Sequence, residues 1–320
     1  MTSIWSSFLE YERSFSGQQW IEFTKDHAEI PILAVAAYLF IVFYVPDVLK
    51  SREPFNLKGA FALWNLFLAI FSTLGVTRTL PHLVSTLSAR GFKYTVCEDP
   101  TIWYNNGACG LWVGLFIYSK IPELLDTVFL VLQKKRVIFL AWFHHTTVLL
   151  YCWHAYHNRI APGLWFASAN YMVHSVMYTY YFLNAAGLYY IARPCAPFIT
   201  TVQILQMVMG STVTTASAIW HAEDPSQCAV DPANYKLGLV MYVSYFWLFS
   251  VLFVGKYFGS KSSSVTKQAP ASAVEKEPIQ DTYQNIDESL QMCGVDLGTH
   301  DTAGFFHSTP RRSERLRKVD

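Results

Sequence analysis

The sequence predicts an all-α membrane protein of seven transmembrane helices, and three observations predict it. Of 320 residues, 52% are hydrophobic and 16% aromatic, while only 15% are charged; an average soluble domain is roughly 25% charged. Mean hydropathy is +0.22 even though a long polar tail is included. Apolar segments recur at 31–49, 58–77, 109–133, 137–154, 163–187, 197–220 and 237–257, each long enough, or nearly so, for a hydrocarbon core of ~30 Å. The net charge of +1, with no Lys/Arg run interleaved with aromatics, points away from nucleic acid as a partner.

The chain before the first span, 1–29, carries Glu10, Glu12, Arg13 and Asp26. It reads as an extramembrane segment rather than a cleavable signal peptide. Basic residues in short loops set the orientation. Lys50, Arg52 and Lys58 flank the first loop, Lys134, Lys135 and Arg136 nearly fill the third, Arg193 lies in the fifth, and Lys256 and Lys261 follow the last span. The sixth loop, HAEDPSQCAVDPANY, holds acids and no Lys or Arg. Odd loops and the C-terminus are therefore expected in the cytoplasm and the N-terminal segment on the lumenal side. The second loop, with Arg78, Arg90 and Lys93, dissents mildly, but long loops follow the rule poorly. The domain reading is a lumenal segment 1–29, a seven-helix domain 30–258 and a disordered cytoplasmic tail 259–320 rich in Ser, Lys, Glu, Gln and Pro. The last residues, RKVD, resemble a dibasic retrieval signal of endoplasmic reticulum membrane proteins; they also read as a plain basic tail. Cys109, Cys152 and Cys195, in or near spans, read as packing. Cys97 and Cys228 fall in the two non-cytoplasmic loops, where an oxidising lumen allows pairing without sequence establishing it.

Ionisable and polar side chains inside spans are costly and mark function by default. The third span holds KIPELLDT, with Lys120, Glu123, Asp126 and Thr127. The fourth holds His144 and His145 in AWFHH. The fifth holds NYMVHSVMYTYY, with Asn170, His174, Tyr178 and Tyr181, and the sixth holds Gln203 and Gln206 in TTVQILQ. Lys120, Glu123 and Thr127 follow i, i+3, i+7, and Asn170, His174, Met177, Tyr178 and Tyr181 follow i, i+4, i+7, i+8, i+11, so each set reads as one helical stripe. At 1.5 Å per residue, Asp126 and His144 lie ~10 Å in from the cytoplasmic ends of their spans, Gln206 ~13 Å and His174 ~15–20 Å. Blander readings stand beside this one: a structural Lys120–Glu123 ion pair, tyrosines as packing, and glutamines as helix–helix glue.

Three intramembrane histidines suit two chemistries. A diiron desaturase or hydroxylase site needs about eight histidines; of the ten here only His144, His145 and His174 share a depth, and no HxxxH occurs. Nucleophilic and acid–base chemistry by neutral imidazole needs no metal or other cofactor. A seven-helix transporter or receptor is a third class, separated by its lack of turnover.

KIPELLDT at 120–127, the histidine box at 141–145, NYMVHSVMYTYY at 170–181 and TTVQILQ at 200–206, in order on successive spans, resemble the ELO family of fatty-acid elongases over about residues 30–260. The family box usually reads HxxHH; here Ala141 stands in the first His position. The resemblance implies seven helices, six of them around a narrow tunnel open to the cytoplasm, and a lumenal disulfide between the loops of Cys97 and Cys228. It implies condensation of acyl-CoA with malonyl-CoA to 3-oxoacyl-CoA, CoA and CO2 in the endoplasmic reticulum membrane, with saturated or monounsaturated chains favoured by the flow of HHTTVLLYCWHAY and MYTYYFLNAAG. His144 is the expected nucleophile, through an acyl-imidazole, with His174 supporting it or polarising the malonyl thioester. His145, Asn170, Gln203 and Gln206 are expected to orient substrate. Lys120, or Lys134, Lys135 and Arg136, are expected to hold CoA phosphates. Implied partners are membrane lipid and the ketoacyl-CoA reductase, dehydratase and enoyl-CoA reductase of the elongation cycle; the sequence leaves open whether the chain also forms a homo-oligomer.

Overall fold

Long apolar runs make helices, and the computed structural model, which describes residues 4–257, is built of helices joined by short loops; no β-strand occurs among the described residues. The tail 258–320, with its RKVD terminus, lies outside the described residues. In chain order the helices are α1 (Ile4–Ser14), α2 (Gln18–Asp26), α3 (Glu29–Val48), α4 (Lys58–Cys97), α5 (Pro100–Trp103), α6 (Gly107–Ser119), α7 (Leu125–Leu132), α8 (Phe139–His157), α9 (Gly163–Ala185), α10 (Tyr189–Ala192), α11 (Ala196–Glu223) and α12 (Pro232–Tyr257). Among the described residues, four helical stretches are long and apolar enough to cross a membrane: Glu29–Val48, Lys58–Cys97, Tyr190–Glu223 and Pro232–Gly255. The other three predicted spans are α6 with α7, α8 and α9. α6 and α7, with 13 and 8 residues on either side of a break, are each too short to cross alone, and the polar side chains of α8 and α9 dilute their apolar character.

Two boundaries differ from the sequence reading. The second span was expected to end at 77, but α4 runs to Cys97. Hydropathy falls at Arg78, yet a helix needs only satisfied backbone and a packed face. Thr79, Leu83, Thr95, Val96 and Cys97 supply that face, and His82, expected in a loop, donates from Nε2 to Trp103 O at 2.6 Å. Gly91, at φ +81°, breaks the helix geometry internally, a conformation glycine adopts without steric cost. The third span is also interrupted. After Ser119 a 3₁₀ turn at Pro122–Leu124 separates α6 from α7, because Pro122 has no N–H to continue the ladder.

The N-terminal segment is packed against the bundle. Glu12, 2% exposed, accepts from Trp112 Nε1 at 2.6 Å and pairs with Arg78 at 3.1 Å. Trp153 Nε1 donates to Thr24 O at 2.8 Å, tying α8 to α2. The most extensive helix pair is α4 with α9, whose close approach is fixed where Gly75 sits beneath the Tyr171 ring; a Cβ there would stand 2.5 Å from it.

Cys97 and Cys228 form a disulfide across 131 residues. Ala229 N donates to Cys97 O and Ala161 N to Ala229 O, so three chain segments meet at that end. Cys109 and Cys152 are buried, whereas Cys195, read as packing, is exposed at the start of α11. Closing so long a loop restricts the unfolded chain. The double substitution Cys97→Ser/Cys228→Ser is expected to cost about 2–4 kcal/mol, measured as a lower melting temperature in detergent. Reductant should bring the wild type down to the variant's value and leave the variant unmoved.

Candidate active site

The break between α6 and α7 turns two charged side chains inward. Lys120 and Glu123 are 2% and 3% exposed, and no ion pair survives such burial unless its hydrogen bonds are filled. Here they are. Lys120 Nζ donates to Glu123 Oε1 at 2.8 Å, to Glu123 Oε2 at 2.9 Å and to Asn170 Oδ1 at 3.1 Å, which accounts for its three protons. It also lies 4.2 Å over the Phe116 ring. Ser119 Oγ donates to Glu123 Oε1 at 2.7 Å.

This arrangement orients the next residue. An ammonium can only donate, so the Asn170 atom facing it is the carbonyl oxygen, and the amide NH2 faces the other way. It meets His174 Nε2 at 3.1 Å. Nε2 of a neutral His174 therefore accepts, and its proton sits on Nδ1, 3.9 Å from Glu123 Oε2. Lys120 thus sets the tautomer of a histidine it does not touch.

Asp126 accepts from Trp64 Nε1 at 2.6 Å and from Tyr178 OH at 2.8 Å. Thr127, the next residue, turns the other way and takes the Tyr38 hydroxyl of α3 at 2.8 Å. The expected stripe of Lys120, Glu123 and Thr127 is therefore not one face: the 3₁₀ turn resets the helical period between them. Neither Trp64 nor Tyr38 was flagged in the sequence, because each is a single aromatic in an apolar helix and its partner lies on another helix.

Asp126, His144, His145, Asn170, His174, Tyr178, Gln203 and Gln206 line one cavity, from four different helices. Ala141 lines it too, so the slot of the missing first histidine is on the face of His144. Tyr181 does not line it; that ring lies 6.1 Å from Tyr178, one turn on. A second cavity, lined by Phe116, Ile117, Val148, Tyr151, Phe166, Met241, Tyr242 and other apolar or aromatic residues, shares His144, Asn170, Gln206 and Met207 with the first. Each is about 50 Å³, room for a few water-sized groups. The imidazoles of His144 and His145 are 5.4 Å apart between ring centres. Neither ring is hydrogen-bonded to another described residue, which leaves their nitrogens for what enters. Thr147 Oγ1 and Tyr245 OH, in a short hydrogen bond, fix the α8–α12 contact one turn beyond His144.

Lys120 has no donor left for CoA phosphates, so that expectation is corrected. Lys134, Lys135 and Arg136 line neither cavity. His154 and His157 lie at the other end of α8, where Asn158 and Asn234 contact His154. Among the described residues no group of three or more His, Cys, Asp or Glu side chains is disposed to hold a metal ion.

Residues 23–265 match the family model of the ELO family, described as GNS1/SUR4. The chain belongs to the ELO family. This ELO chain is 46% identical over 270 residues to "Very long chain fatty acid elongase 4" of Trypanosoma cruzi (strain CL Brener), covering 84% of this chain and 93% of that one. It is 42% identical over 295 residues to "Fatty acid elongase 3" of Trypanosoma brucei brucei, covering 85% and 98%. It is 38% identical over 258 residues to "Very long chain fatty acid elongase 6" of Rattus norvegicus, covering 81% and 95%. The ELO match spans the site described above from α3 to α12.

Proposed function

We propose that this ELO protein condenses acyl-CoA with malonyl-CoA, extending the acyl chain by two carbons, with His144 as nucleophile. The observation that supports this most is the place of His144, at the junction of a polar cavity and an apolar one. An amphiphile with a reactive thioester and a hydrocarbon tail fits that division. The tail enters the apolar cavity as flexible Met207 and Met241 give way.

A His144 ring nitrogen attacks the thioester carbonyl; the C–S bond breaks, and the CoA thiolate leaves with the proton that the imidazole loses. Malonyl-CoA then loses CO2, and its enolate attacks the acyl carbon. The C–N bond breaks, the released His144 nitrogen takes a proton from water, which restores the neutral imidazole, and 3-oxoacyl-CoA departs. The developing oxyanions need donors, and the Gln203 and Gln206 amides and the His145 ring line the same cavity. With Nε2 occupied by Asn170, His174 acts through its Nδ1 proton, as a hydrogen-bond acid toward the malonyl thioester rather than as a base.

Saturated and monounsaturated acyl chains are the proposed donors. We place the protein in the endoplasmic reticulum membrane with seven spans, the N-terminal segment lumenal and the C-terminus cytoplasmic. The histidine cavity then opens toward the cytoplasm, and the reductases and dehydratase of the cycle act as partners. The reaction as proposed uses no metal or redox cofactor. The test is the purified protein with acyl-CoA and carboxyl-labelled malonyl-CoA. Labelled CO2 and 3-oxoacyl-CoA in equal amounts are expected. No product from folded protein across donors of several chain lengths would overturn the reading.

A further inference from the structure

A third pocket lies between α3, α7 and α8, and it shares no lining residue with the two cavities that hold the histidines. It is about 520 Å³, roughly tenfold roomier than either. Four cations rim it, Lys50, Lys134, Lys135 and Arg136, over a floor that includes Phe43 and Trp142. We infer that this pocket binds the headgroup of an anionic phospholipid, with the lipid's tails lying along α3.

Three observations converge on that occupant. The first is charge. Asp47 pairs with Lys50 at 2.7 Å, and Lys134 Nζ donates to Lys50 O at 3.0 Å. The side chains of Lys135 and Arg136 make no hydrogen bond or ion pair with any described residue, so two cations face the pocket uncompensated. The second is backbone. Lys134 has φ +57°, a left-handed conformation that costs energy in a non-glycine residue. It ends α7, with Lys134 N on Val131 O and Lys135 N on Leu130 O, and it presents three successive cations at one rim. The third is continuity with a lipid-facing surface. Phe40, Phe43, Tyr44 and Val48 of α3 are 54–59% exposed, on a helix apolar enough to cross a membrane. A lipid lying on that surface brings its phosphate to the cationic rim. CoA is the rival source of phosphate, but α8 separates the two sites: Trp142 lines this pocket while Ala141, His144 and His145 line the catalytic one.

This inference uses the membrane reading and none of the condensation chemistry, so it stands or falls apart from it. The test is phosphatidylinositol retention by the full-length protein in detergent, read by native mass spectrometry, for wild type, Lys135→Gln/Arg136→Gln and the charge-keeping Lys135→Arg/Arg136→Lys. A surface cation contributes roughly fivefold to anionic-lipid binding, so the neutral double variant should bind about 25-fold more weakly. Phosphatidylcholine retention and the KM for acyl-CoA should stay unchanged, and the charge-keeping variant should retain phosphatidylinositol. Excess CoA should leave phosphatidylinositol bound to the wild type. Equal phosphatidylinositol retention by all three proteins overturns the proposal. So does displacement by CoA, or a raised KM for acyl-CoA in the neutral variant, either of which assigns the pocket to CoA.

Discussion

Replacing His144 by alanine is expected to lower kcat by roughly 10³–10⁶-fold, the range seen when a nucleophile or its proton partner is removed. The side chain lines both cavities, so alanine leaves a void and removes no hydrogen bond within the protein. The fold should therefore survive, with the melting temperature within a few degrees of wild type. The decisive measurement omits malonyl-CoA. Wild-type protein mixed with acyl-CoA alone should release close to one equivalent of CoA in a burst, as the acyl group moves to the imidazole. His144→Ala should release none. His145→Ala removes a neighbouring ring rather than the attacking one. It should keep the burst and lose roughly 10²-fold in the second half-reaction, the scale of a lost oxyanion donor. A full burst from His144→Ala would remove His144 from the role of nucleophile.

Lys120→Ala is expected to destabilise the protein by about 3–5 kcal/mol, because it leaves the Glu123 carboxylate buried without its counter-charge. Lys120→Ala/Glu123→Ala should recover much of that loss, since removing both charges removes the uncompensated one. Thermal unfolding of the three proteins measures the difference. The catalytic effect separates from the structural one in Lys120→Met, a chain of similar shape with no donor. Asn170 then loses the contact that fixes its amide, and His174 Nε2 loses its assured donor. The expected result is a fall in kcat with the KM for acyl-CoA unchanged, and Lys120→Arg should restore part of kcat by supplying donors again. A raised KM with unchanged kcat would return Lys120 to CoA binding.

The histidine cavity was largely legible because depth and period are both properties of the chain. Asp126, His144, His174 and Gln206 are placed in one half of the bilayer from rise per residue alone, and they do share a cavity. Three expectations failed for one reason. Lys120 as a phosphate ligand, Thr127 on the catalytic face and the second span ending at 77 all assumed that a side chain's surroundings follow from its own segment. Pro122 broke the period between Lys120 and Thr127. Glu123, one turn on, and Asn170, from α9, together claimed the Lys120 protons. Packing against Trp103 and the neighbouring helices carried α4 past the point where hydropathy falls.

By itself the sequence determined the all-helical architecture, the membrane-spanning character and the set of polar residues that meet in one half of the bundle. Those follow from composition and from a helical repeat that is the same in every protein. The tertiary structure alone decided which donor meets which acceptor. The tautomer of His174 and the enclosure of Lys120 depend on Asn170 of α9 approaching Lys120 within hydrogen-bond distance, and the separation of the basic pocket from the histidines depends on how α8 packs between them. No local periodicity encodes that distance, because it is set by how helices pack rather than by how each one repeats.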